Sequence, residues 1–275
     1  MTKLPIPFSF SQSSLQDYAD CPRRFQLRYV DKLEWPAIDS EPIVENERRQ
    51  IEGQLFHRLV QQYFLGVPPD ILSPTANTPN LERWWQNFKS TLTDLGDLSG
   101  FALYPELTLS ARIGNHRLVA KYDLVTVREE KALIYDWKTS AKRPRDEWMS
   151  ARWQTRAYRS LLVLAGSRLH AGKSLDPAQI EMIYWYADFP SEPAHLKYSN
   201  EQFKRDWSAI EKVVGEISSR ADFPLTEDEK LCRFCVYRSY CNRGMQAGQT
   251  GELEVELDSE INFDVNFEQI SEIEF

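Results

Sequence analysis

The chain has 275 residues, 42% hydrophobic and 27% charged, a globular composition long enough to bury a substantial core in one domain or one domain with appendages. No apolar run approaches the roughly 20 residues of a membrane span, and the N-terminus lacks the basic and apolar segments of a signal peptide, so a cytoplasmic protein with no membrane partner is expected. The net charge of −8 argues against a nucleic-acid partner until the charges are placed: nine of the 41 acids fall in 251–275, which has no Lys or Arg, so residues 1–250 carry 33 bases against 32 acids.

From the N-terminus, 9–30 opens with serines suited to helix capping and places Leu15 and Tyr18 at helical spacing. Cys21-Pro22 interrupts that helix, because a residue before proline disfavours the α region. Arg23, Arg24 and Arg28 follow, as candidate phosphate ligands or as a solvated face. A second helix is predicted over 44–65, with Ile51, Leu55, Leu59 and either Phe56 or Tyr63 as its apolar stripe. Gly53 lies one turn before His57, where glycine costs up to about 1 kcal/mol relative to alanine and calls for a packing reason. Read alone, such a histidine is more often a buried, hydrogen-bonded structural residue than a ligand. Residues 66–80 read as a connection, and 81–95 as an amphipathic helix with Trp84, Trp85 and Phe88 in the core.

Residues 118–138 read as a hairpin, two strand-like runs flanking the charged tip Arg128-Glu129-Glu130-Lys131. Reversal between Glu129 and Glu130 sets Asp123 opposite Asp136, with Cβ atoms roughly 4.5–5.5 Å apart. Lys138 returns to the face of Asp136, and Trp137 points away. One strand earlier, 101–113 ends at Gly114-Asn115, a pair suited to a tight turn, and this register brings Glu106 opposite Asp123. Three carboxylates side by side repel unless a cation sits among them, and oxygen ligands favour magnesium, manganese or calcium.

Further on, a helix is predicted over 147–165, ended by Gly166, with Gln154 and Tyr158 one turn apart on one face, available to a nucleic-acid backbone or to orient a lysine. A strand is predicted over 180–189. A helix capped by Ser199 and Gln202 follows to Arg220, with the stripe Phe203, Trp207, Ile210, Val214 and Ile217 packed on the sheet. Strands between helices at both ends predict an α/β layer fold with a mixed sheet. Cys232, Cys235 and Cys241 supply three thiols from one segment, and Cys21 is the only other cysteine, so a four-thiolate site of zinc or of iron–sulfur would clasp the two ends of the body together. The tail at 246–275 alternates acid and apolar residues, but its charge favours disorder. The alternative is that it mimics DNA and occupies the active groove.

Taken in order, Cys21-Pro-Arg-Arg-Phe25, Gly53-Gln-Leu-Phe-His57, Glu106, Asp123, Asp136-Trp-Lys138, Gln154 with Tyr158 and the three late cysteines resemble the RecB-type nucleases of the PD-(D/E)XK superfamily. The likeness is to the iron–sulfur subgroup, which includes CRISPR-associated adaptation nucleases and the nuclease domains of bacterial helicase–nucleases. It implies a restriction-endonuclease-like mixed sheet flanked by helices over 1–245, its ends joined by the cysteine cluster. It implies that His57, Asp123 and Asp136 hold Mg²⁺ or Mn²⁺, that Lys138 is catalytic, that Gln154 and Tyr158 complete the site, and that Cys21, Cys232, Cys235 and Cys241 hold a [4Fe–4S] cluster. Glu106 would be an auxiliary carboxylate, and Arg23, Arg24, Gln154 and Tyr158 would meet the nucleic acid. Asp136 stands where much of the superfamily has Glu, and the acidic tail has no counterpart. The activity implied is cleavage of DNA single strands or ends, beside a helicase or CRISPR integration proteins. The alternative is a non-catalytic iron–sulfur or zinc module that only binds nucleic acid.

Overall fold

A computed structural model describes residues 4–33, 43–92, 98, 100–129, 131–233 and 235–244. The acidic tail lies outside the described residues. The elements run β1 (Ser9–Phe10), α1 (Gln12–Asp20), α2 (Pro22–Phe25) with a π turn after it (Gln26–Val30), α3 (Ile43–Phe64), α4 (Pro69–Leu72), α5 (Pro79–Thr91), β2 (Ala102–Pro105), β3 (Thr108–Ile113), β4 (His116–Lys121), β5 (Leu124–Arg128), β6 (Lys131–Lys138), α6 (Asp146–Ala151), α7 (Trp153–Ala165), β7 (Ile180–Tyr186), β8 (Phe189–Lys197), α8 (Asn200–Ser219) and α9 (Glu229–Cys232). Helices thus flank mixed sheets, as the order of predicted elements implied. Among the described residues no helix is long and apolar enough to cross a membrane.

Two sheets form, one in the order β1-β4-β3 and a larger one in the order β2-β5-β6-β7-β8. Both predicted registers hold. Leu124 pairs with Tyr135 and Arg128 with Lys131, while Thr108 pairs with Lys121 and Ile113 with His116. The single strand expected over 101–113 is nevertheless two strands, β2 in the large sheet and β3 in the small one. The break falls at Glu106, whose φ of 55° is left-handed, and its partner strand breaks at the same level, between β4 and β5. Across the break the backbone keeps its pairing, Glu106 N donating to the Asp123 carbonyl (2.9 Å) and Tyr122 N to Leu107 (2.8 Å). One long hairpin therefore bends from one sheet into the other at Asp123.

Strand alternation sorts the large sheet into two faces. Leu133, Tyr135, Trp137, Ile183 and Trp185 pack on Phe56, Leu59 and Val60 of α3 and on Trp84, Trp85 and Phe88 of α5. Ala132, Ile134, Met182 and Tyr184 pack on α7 and α8. In α3 the stripe is rotated from the predicted one: Ile51 and Leu55 are exposed, whereas Glu52 turns inward and accepts from Asn80 Nδ2 at 2.7 Å. The helix predicted over 147–165 is broken at Arg152, which is extended (φ −66°, ψ 150°). Gly166 does end α7, but with an ordinary φ of −79°. Its reason is space, since a Cβ there would meet Leu162 Cδ1 at 3.0 Å and Leu175 Cδ1 at 3.1 Å.

Helix α7 is fixed to α8 by a buried pair, Arg159 Nη2 to Asp206 Oδ2 at 3.2 Å, and the same guanidinium stacks on the Tyr198 ring. Burial lowers the Arg159 pKa and raises that of Asp206. Removing one partner strands the other charge, whereas an apolar pair of similar volume does not. Asp206→Ala should therefore cost about 3–5 kcal/mol, and the double change Arg159→Met/Asp206→Leu should restore most of it, as read by urea unfolding.

Candidate active site

The site forms where the hairpin leaves the large sheet. β5 pairs with β6 only up to Leu124–Tyr135, so the last residues of β6 have lost their partner strand on that side. The backbone N–H of Trp137 finds the Asp123 carboxylate instead (Oδ2, 2.8 Å). A buried N–H needs an acceptor, and here the requirement fixes an acidic side chain beside β6. On its other edge β6 remains paired with β7, Asp136 with Tyr184 and Lys138 with Tyr186.

Asp136 and Lys138 lie on the α7 face and are almost closed to solvent, their side chains 3% and 9% exposed, with Lys138 Nζ 3.0 Å from Asp136 Oδ2. Gln154, on the first turn of α7, bridges them, accepting from Lys138 Nζ at 3.1 Å and donating to Asp136 Oδ1 at 2.7 Å. Tyr184 donates to the same Gln154 oxygen at 3.4 Å and shares a 2.7 Å hydrogen bond with Thr155. With donors on one side and the Asp136 acceptor on the other, the Gln154 amide has one orientation. Tyr184 and Thr155 escaped the sequence reading. The signal was present in 180–189, where the residues paired with Asp136 and Lys138 in a parallel neighbour are both tyrosines.

His57 reaches the site from α3, Nδ1 lying 3.1 Å from Asp123 Oδ1. Gly53 permits this approach, because a Cβ there would stand 3.0 Å from Thr139 Oγ1, just beyond Lys138. Burial disfavours charge on both partners, but their attraction outweighs it. His57 is raised to about 9, and Asp123, which also accepts from Trp137 N–H, is lowered.

Other predicted residues fall elsewhere. Glu106 sits beside Asp123 through its backbone, but its carboxylate pairs with Lys121, since the left-handed bend turns it off the row. Tyr158 packs tilted against Tyr122 (ring centroids 4.7 Å apart) and donates to the Lys121 carbonyl at 2.7 Å, bracing the strand that leads into Asp123. Arg24 is buried against Asp17 (2.8 Å) and Asp20 (2.6 Å), and Arg28 lies 3.2 Å from Asp17, so both are engaged within the protein. Arg23 donates to Gln26 at 2.7 Å.

All four cysteines line one pocket with Arg24, Tyr237 and Arg238. They are not drawn together as a ligand set: among the described residues no group of three or more His, Cys, Asp or Glu has metal-holding geometry. The expected clasp is thus not closed through sulfur. Burial raises the pKa of Cys232, Cys235 (to about 11) and Cys241, and the neighbouring Cys21 adds to each shift. The two ends of the body meet instead through Arg23 N to the Pro224 carbonyl (3.1 Å) and Tyr237 OH to the Leu33 carbonyl (2.9 Å). The same finding covers His57, Asp123 and Asp136, where His57 pairs with Asp123 and Lys138 with Asp136.

The His57–Asp123 pair has a pH signature. A raised histidine stabilises the fold fully below its unfolded value near 6.5, and that contribution fades as pH rises through about 9. The metal-free protein should show His57 ring resonances titrating near 9 by NMR. Asp123→Asn removes the attraction and leaves the burial, so it should bring the midpoint below about 6.5. A wild-type midpoint near 6.5 would contradict the pairing.

Comparison with known proteins gives the family and the fold. The family model for the PD-(D/E)XK nuclease superfamily matches residues 9–242. No curated protein matches the chain. Among solved structures, a provisionally assigned exonuclease from Eubacterium rectale is similar with a TM-score of 0.51, at 12% identity, over 87% of this chain and 90% of that one, a likeness of fold. A second, SSO0001, has a TM-score of 0.40 at 10% identity, over 86% and 87%, too distant to argue from. With the family model spanning both the split sheet and the late cysteines, the chain belongs to the PD-(D/E)XK nuclease superfamily.

Proposed function

We propose that this member of the superfamily is a divalent-metal-dependent deoxyribonuclease of the RecB-type branch, hydrolysing phosphodiester bonds as an exonuclease on single strands or DNA ends, in repair, recombination or CRISPR adaptation. The observation that carries the proposal is the convergence of Asp123, Asp136 and Lys138 where the hairpin leaves the sheet. Two carboxylates and an imidazole suit Mg²⁺ or Mn²⁺, and the two acids lie against His57 and Lys138. A cation held by Asp123, Asp136 and His57 would supply Lewis acidity at the phosphate and a more acidic water.

The remaining roles belong to the chain. Lys138 is held by Asp136 and Gln154 where little water screens its charge, so it is pre-oriented to meet negative charge growing on the phosphate oxygens. Gln154 fixes the amine and the Asp136 carboxylate relative to each other. Asp123 is kept from rotating by the Trp137 N–H. Tyr158 holds the approach to Asp123 rather than touching the reacting atoms, and Glu106 with Lys121 lies at the rim. Arg23 is the candidate for a phosphate contact, since Arg24 is committed to Asp17 and Asp20.

The proposal extends to a [4Fe–4S] cluster at Cys21, Cys232, Cys235 and Cys241, supported by four thiols from both ends of the body lining one pocket. Burial disfavours the thiolate at Cys232, Cys235 and Cys241, and a cationic centre would offset that.

Labelled single-stranded DNA should be cut in Mg²⁺ or Mn²⁺ and spared with chelator. Asp136→Asn and Lys138→Met should each lower turnover at least about 100-fold with unchanged circular dichroism. Full activity in both variants would defeat the assignment. Anaerobically purified protein should be brown with about four irons per chain, and Cys232→Ser should lose both. A colourless protein with one zinc would assign the thiols to zinc instead.

A further inference from the structure

Strand β7 presents two tyrosines to the site, and their hydroxyls are treated differently. Asp136 and Lys138 pair in register with Tyr184 and Tyr186, and paired residues of parallel neighbours share a face. Tyr184 is satisfied by Thr155 and Gln154. Tyr186 is fully buried, yet its hydroxyl has no hydrogen-bond partner among the described residues. The charges around it are the Lys138 amine, the Arg143 guanidinium, which lies 5.6 Å from the ring centroid, and the Asp136 and Asp146 carboxylates.

A buried hydroxyl without a partner destabilises the fold, and a residue present only to fill space would do better as phenylalanine. Polar groups left unsatisfied in this way gather where a partner arrives with the substrate. Arg143 is not the missing partner, since it donates to the Glu192 carbonyl (2.7 Å), the Pro144 carbonyl (3.1 Å) and Asp146 (2.7 Å). The residue paired with Tyr186 across the strands, on the same face, is Lys138.

We propose that Tyr186 is a further catalytic residue, whose hydroxyl makes its hydrogen bond to the attacking water beside Lys138. This rests on the nuclease reading above. In the free chain the donor has no partner among the described residues. During cleavage Tyr186 and Lys138, register partners on neighbouring strands, hold the same oxygen. Such a contact is made at the reacting water and not along the strand being bound, so its loss acts on turnover rather than on substrate binding.

The test is Tyr186→Phe beside Tyr184→Phe, assayed on labelled single-stranded DNA in saturating Mn²⁺ and by thermal melting of the metal-free proteins. Tyr186→Phe should lower kcat about 10- to 100-fold, with KM within about twofold and a melting temperature equal to or above wild type. Tyr184→Phe, which breaks a made hydrogen bond, should melt below wild type. Unchanged kcat in Tyr186→Phe overturns the proposal while wild-type cleavage leaves the nuclease reading intact. A lower melting temperature in Tyr186→Phe also overturns it, because the hydroxyl would then have a structural partner. Wild type inert with Mg²⁺ and Mn²⁺ removes the nuclease reading and this inference together.

Discussion

The hydrogen bond from Trp137 N–H to the Asp123 carboxylate is the constraint on which the site depends. A hairpin that changes sheets must abandon ladder partners, and an abandoned buried N–H has to be paired again. By taking that N–H, Asp123 closes the end of the large sheet and is pinned beside Asp136 by the same contact. The carboxylate is therefore a strand terminator and a candidate ligand at once. The sharp bend at Glu106 on the facing strand is the other half of this arrangement, since both strands must turn at one level for the gap to open.

Charge in the site is balanced before anything binds. Two acids, a histidine raised to about 9 and a lysine sit within a few ångströms, cross-linked by Gln154. Asp136 and Lys138 are buried and His57 and Asp123 partly so; withdrawing charge from water is unfavourable unless compensated, and each has an opposite partner here. The cysteine pocket solves the same problem in the other way. Burial disfavours the thiolate at Cys232, Cys235 and Cys241, and Arg24, a buried cation at its wall, is held by Asp17 and Asp20. Metal-binding potential in this chain is thus stored as paired charge at one end and as protonated sulfur at the other.

Much of this was legible in the sequence, and the misses have physical causes. The hairpin registers followed from turn positions alone, because side-chain alternation allows no slip without reversing the faces, and that sufficed to bring Asp123, Asp136 and Lys138 together. A strand break that preserves register leaves no mark on periodicity, so the turning away of Glu106 was invisible. In α3 the apolar stripe through Ile51 and Leu55 was misread because an inward polar residue, Glu52, has a private partner 28 positions away in Asn80. The interruption at Arg152 was equally silent, with no Pro or Gly to announce it. Tyrosines 184 and 186 read as core because tyrosine in an apolar strand ordinarily is core.

What turns these contacts into a site of fixed geometry is the other face of the same strands. Trp137 and Trp185 alternate with Asp136, Lys138, Tyr184 and Tyr186 and drive into a slab of rings: Phe56 lies parallel to Trp185 at 6.0 Å, Phe64 parallel to Trp137 at 6.0 Å, and Phe88 meets Trp137 edge-on at 5.5 Å. Large rings packed at this density leave a strand little freedom to twist or slide. Because alternation is strict, immobilising the odd-numbered side chains immobilises the even-numbered ones, and Phe56 belongs to the helix that also delivers His57. The aromatic face therefore sets the distance between His57 on α3, whose ring meets Phe56 edge-on, and the carboxylates on the sheet, so the positions of the polar groups are governed by apolar packing on the opposite face.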